Sequence, residues 1–158
     1  MSATDAVLNK AEAARASFLK HLNGLKPEQW DFKPFPQCNS IRETVLHLLL
    51  VDRATLISMQ TKAQPDWDNY DAADEEKTAE PQQLLQLITQ ANEAVFHFLR
   101  ENAKNSSLEE EVVFWGEKTS LAEMCISMAA HDAYHAGQAS FLRQASDPEW
   151  DYYAAIYG

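Results

Sequence analysis

Apolar side chains recur along this chain at intervals of three and four residues, and four stretches keep that rhythm long enough to form helices. The first, about residues 4–24, sets Val7, Ala11, Ala14, Phe18, Leu22 and Leu25 on one face, with Gly24 placed to end it. The second opens at Ser40, with Glu43 three residues later in a capping-box pattern. Its apolar residues, from Ile41 and Val45 through Leu48, Leu49 and Leu56 to Met59, wrap most of the circumference, which predicts a deeply buried helix. The third, about 81–102, starts on a proline and carries a stripe of Leu84, Leu87, Ile88, Ala91, Val95, Phe98 and Leu99. Ser120 and Glu123 repeat the capping box for a fourth helix that ends near Ala145.

Residues 63–80 form a long connection between the second and third helices, where two to eight residues are usual in helical bundles. Such a stretch is either an insert or a crossover that makes the two helices parallel. Behind the fourth helix, about 147–158, comes a tail rich in aromatic residues: Trp150, Tyr152, Tyr153 and Tyr157. The prediction is an all-α fold occupying residues 1–158 as a single domain.

Composition narrows the setting. Only four glycines occur in 158 residues, which favours helices over turn-rich sheets. No apolar run approaches the length of a membrane span. The first 20 residues carry charges at helical spacing and no apolar signal core. With just two cysteines, Cys38 and Cys125, a cytoplasmic protein with reduced thiols is expected. The net charge of −11 disfavours nucleic acid and anionic membranes as partners.

Of five histidines, His131 and His135 share one face of the fourth helix with Met124, Met128, Ala139 and Leu142. Two imidazoles within an apolar stripe need compensation, either from a metal that takes their lone pairs or from hydrogen bonds in the core. His47 sharpens the choice. It lies about 10 Å into the second helix, and His131 and His135 lie about 16 and 22 Å into the fourth, at 1.5 Å per residue. If those helices are antiparallel and about 33 Å long, His47 comes level with His135 and within a turn of His131. With the third and fourth helices as an antiparallel pair, the second then parallels the third, which is what a crossover through 63–80 would provide.

Leu25-Lys26-Pro27-Glu28-Gln29-Trp30, Ser40-Ile41-Arg42-Glu43 followed by His47, and His131-Asp132-Ala133-Tyr134-His135-Ala136-Gly137-Gln138 resemble the DinB/YfiT-like metalloprotein superfamily. The resemblance runs from the first helix to about residue 145. It implies an up-down-down-up four-helix bundle, frequently a homodimer, with a divalent metal held by His47, His131 and His135. It also implies thiol S-transferase-type or hydrolytic chemistry on a small molecule, since characterised members include thiol S-transferases and a mycothiol-dependent isomerase. Three histidines leave a coordination position open for water or a low-molecular-weight thiol. Nickel, zinc and iron suit nitrogen ligands, and the sequence does not choose among these and manganese. The competing classes are a non-catalytic stress-related metal-binding protein and a metal-free helical interaction module.

Other residues carry lesser expectations. Asp132 makes the run H-D-x-x-H, but a protease would need a further ligand downstream, and little chain remains. It is read as an acceptor behind the histidines or as a plain polar helix position, and Gln138 as a residue facing the site. Asp52, in the apolar phase of the second helix, calls for an arginine partner, with Arg143 the candidate. His21 is at the right depth for a fourth ligand, but packing explains it. His97 reads as solvated, Cys125 as buried and inert, and Trp30, Trp67 and Trp115 as covers in the connections.

Overall fold

The computed structural model describes residues 2–103 and 107–158. Among them the chain forms α1 (Ala3–Lys20), α2 (Ile41–Thr61), α3 (Asp74–Lys77), α4 (Pro81–Ala103), α5 (Leu121–Ser146) and α6 (Tyr152–Tyr157). A two-stranded hairpin, β1 (Glu111–Phe114) and β2 (Glu117–Ser120), lies between α4 and α5. The protein is therefore mostly helical, as expected, with one small sheet that the helical periodicity did not announce. No helix among the described residues is long and apolar enough to cross a membrane.

Local chemistry explains the helix ends. Ser40 accepts from the Glu43 amide at 3.2 Å while Glu43 accepts from the Ser40 amide at 2.7 Å. Ser120 and Glu123 repeat the exchange at 3.2 and 3.1 Å. Each box satisfies two amides that a helix start leaves orphaned. α1 stops at Lys20, four residues earlier than the periodicity suggested, and the chain turns through Gly24 at φ +71°. The long connection holds α3 and a turn of 3₁₀ helix, Trp67–Asn69. Arg53 of α2 anchors it by pairing with Glu76 at 2.7 Å.

The hairpin turns on Trp115 and Gly116, both at positive φ (52° and 84°). That is the two-residue turn whose twist suits paired strands. A left-handed residue with a Cβ costs about 1–2 kcal/mol, and Trp115 offsets part of this by stacking on Phe114, 4.6 Å between centroids.

Two apolar clusters fill the interior. One gathers Phe18, Leu22, Ile41, Val45, Leu48, Leu84, Ile88, Ala139 and Leu142. The other gathers Leu8, Ala11, Met59, Val95, Leu99, Leu121, Met124 and Met128. Helix α1 packs chiefly on α5, and α2 chiefly on α4. Between the clusters along α1, α2 and α5 lie Arg15, Asp52 and Asp132, all buried.

Candidate metal centre

Along α5, His131 and His135 are one turn apart and present their imidazoles on the same side, because 3.6 residues per turn brings i and i+4 together. Their Nε2 atoms stand 3.1 Å apart. From α2, His47 brings its own Nε2 to 3.2 Å from that of His131. The three ligand-type nitrogens all lie within 4.8 Å of one another. An ion at the usual imidazole distance of about 2.0–2.1 Å would separate its nitrogens by about 3.0–3.4 Å, so the donor set fits a metal. Hydrogen bonding among the three rings explains the arrangement less well, since one Nε2 proton on His131 serves a single neighbour.

Gln138 settles which nitrogen of His135 faces inward. Nδ1 of His135 donates to Gln138 Oε1 at 2.7 Å, leaving the Nε2 lone pair turned toward the other two rings. Burial pushes the titration of His131 down to about 4, helped by the neighbouring His135, His47 and Arg15 charges. Burial is also the main cause that lowers His47 and His135. All three are thus neutral at pH 7, the form in which imidazole binds metal.

The cluster lies at an edge. His47 is exposed, His131 intermediate and His135 buried. Beside His47 opens a cleft of about 620 Å³, lined by Lys33, Arg42, Glu43, Leu46 and Lys77 among others. Trp115 flanks His131, its ring edge-on at 6.0 Å, and Trp67 meets Trp115 at 6.3 Å.

Behind the histidines, Arg15 spans two carboxylates. Its Nη1 and Nη2 reach Asp52 at 2.5 and 3.1 Å, and its Nε and Nη2 reach Asp132 at 3.1 and 2.9 Å. Burial pushes Asp52 up to about 6, against the opposing pull of Arg15. This corrects two expectations. Asp132 is no plain polar position but half of a buried ion pair, and the arginine for Asp52 is Arg15. Arg143 instead donates from Nη1 to the His21 carbonyl at 2.8 Å and lies over Trp150, 4.4 Å from the ring centroid. Arg15 was the functional neighbour that periodicity missed, although a charge four residues after Ala11 and three before Phe18 marks it.

The remaining candidates fall elsewhere. His21 is buried away from the trio, with Nδ1 donating to Ser17 O at 2.8 Å. His97 is exposed on α4. Cys125 is buried, which raises its thiol to about 11, and Cys38 Sγ donates to the Asn39 carbonyl at 3.2 Å. Trp30 is buried in the first apolar cluster.

The family profile of the DinB superfamily matches residues 10–139. The chain belongs to the DinB superfamily. The matched span holds every residue of the histidine trio and of the Arg15 triad, while the aromatic tail of this DinB-superfamily chain falls outside it. A comparison with curated proteins found no match. Membership of the DinB superfamily and the three-histidine cluster together are compatible with a metal-binding protein.

Proposed function

We propose that this chain is a metal-dependent enzyme, a single-domain four-helix bundle in which His47, His131 and His135 hold one divalent transition metal. The reaction class is thiol S-transfer or hydrolysis on a small molecule. The observation that carries this reading is the convergence of three imidazoles on the rim of a cleft, with His131 Nε2 3.1 Å from that of His135 and 3.2 Å from that of His47. A closed structural site would have a fourth protein ligand, and His21 lies elsewhere. A bound ion would supply acidification of a thiol or water at its open position. Gln138 would hold the His135 ring in its ligating tautomer, and Trp115 would limit solvent on the His131 side.

The up-down-down-up order is supported by cross-helix pairs. Arg15 meets Asp132 and His21 meets Arg143, so positions on α1 and α5 rise together. Arg100 in the last turn of α4 meets Glu12 at the middle of α1, while Leu84 near the start of α4 shares a cluster with Phe18 and Leu22, so α4 runs against α1. His47 of α2 meets His135, while Met59 near the end of α2 shares a cluster with Leu121 and Met124 at the start of α5, so α2 runs against α5. A homodimer and a cytoplasmic setting complete the reading.

The test is metal content by elemental mass spectrometry on tag-free protein, beside His47→Ala, His131→Ala and His135→Ala. Near-stoichiometric metal, lost in every variant while far-UV circular dichroism is kept, is the expected result. No uptake after reconstitution with nickel, zinc, manganese and iron would overturn the proposal. Consumption of a low-molecular-weight thiol with a small electrophile then separates transferase from hydrolase.

A further inference from the structure

The two helices that bring the histidines together are not each other's main neighbours. Helix α5, with His131 and His135, packs chiefly on α1; α2, with His47, packs chiefly on α4. Something must fix the register between these two pairs, because His47 has to reach His131 Nε2 within 3.2 Å. Apolar contacts are poor at this, since side chains of similar size exchange places at little cost. A buried guanidinium held by two carboxylates is directional, and its paired N–H bonds tolerate little displacement.

Arg15 is that device by position. It reaches from α1 to Asp132, the residue after His131, and to Asp52, five residues after His47. All three residues are almost fully buried, at 4%, 4% and 1% exposure for Arg15, Asp132 and Asp52, and every guanidinium nitrogen is engaged. We infer that Arg15 is a positioning residue for the metal centre: by gripping Asp52 and Asp132 at once it sets α2 against α5, so that His47 meets the two histidines of α5. The pairing on α5 itself needs no such help, being set by helical spacing. The consequence for metal affinity rests on the function proposed above; the consequence for ring placement does not.

Two variants cut the grip differently. Arg15→Lys keeps the charge but loses the fork, and Asp52→Leu removes the tie to α2 while leaving Arg15 and Asp132 as a balanced pair. Nuclear Overhauser contacts between imidazole protons in metal-free protein read ring placement directly, since His47 lies 5.2 and 5.0 Å from His131 and His135 between centroids. The contacts of His47 to both rings should be lost in each variant, while the His131–His135 contact, 4.5 Å between centroids, persists. Zinc affinity should fall about 10–100-fold, the range for residues that orient ligands. Adding His47→Ala to either variant should then cost little more than His47→Ala alone.

A purely structural triad predicts otherwise: a lower melting temperature with ring contacts and zinc affinity unchanged at 25 °C, and that result in Asp52→Leu overturns the inference. If the wild type takes up none of nickel, zinc, manganese and iron, the metal reading fails, and the ring contacts alone decide for or against the anchor.

Discussion

The Arg15 triad and the histidine trio draw on neighbouring turns of α2 and α5, yet their polar atoms are answered in opposite ways. In the triad each guanidinium nitrogen finds a carboxylate oxygen, and the group is sealed from solvent between two apolar clusters. In the trio, like faces like: three Nε2 atoms turn toward one another at the edge of a cleft. Buried polar groups that complete each other need nothing further. Groups of one kind that converge do not complete each other, and a ring of lone pairs is suited to a cation. Burial alone would not have separated these cases, because His135 and Asp132 are both buried.

The contrast is sharpest when one member of the self-sufficient cluster is taken away. Arg15→Met leaves two carboxylates without their cation, and a loss of about 3–5 kcal/mol is expected on breaking such a buried network. Guanidinium chloride unfolding measures it. Replacing Asp52 and Asp132 by leucine in the same chain should recover much of that stability, and failure to do so would mean that the triad is not self-contained. The trio should respond in the opposite sense. Gln138→Leu frees the His135 ring and should weaken zinc binding about tenfold, with a stability loss of about 1 kcal/mol, the usual worth of one hydrogen bond. Competition with a chromophoric chelator reads the first and thermal unfolding the second.

The smallest effect concerns protons. With His131 lowered to about 4 and its two neighbours lowered as well, protons compete with metal only in acid. Zinc affinity should change less than about threefold between pH 7.5 and the ordinary histidine value near 6.5, and fall as pH drops toward 4. The same sign applies to folding. The unfolded chain takes up protons first in that window, so the trio's contribution to stability is present above 6.5 and is lost on acidification. A steep fall already between pH 7.5 and 6.5 would mean rings more solvated than their burial indicates.

Much of this was legible in the chain because helices announce themselves by period and caps. Ser40 with Glu43 and Ser120 with Glu123 marked two starts to the residue, and the i, i+4 spacing of His131 and His135 with the depth of His47 brought the trio together. What stayed hidden depended on shape. The strands Glu111–Phe114 and Glu117–Ser120 are too short to show an alternation, and their turn carries a tryptophan where glycine or asparagine would have signalled it. Asp52 clearly wanted an arginine, but several were in reach by depth. Choosing Arg15 over Arg143 required knowing which turn of which helix faces Asp52 across the core.

The tight turn that seats Trp115 has an optical corollary. An indole held edge-on to His131, and itself touched by Trp67, emits from beside the imidazoles without any label. Trp30, sealed in the interior, supplies a steady blue-shifted reference within the same spectrum. Four tryptophans emit together, and the part of their emission that changes during a metal titration is therefore a built-in gauge of what happens at His131, readable in an unmodified chain.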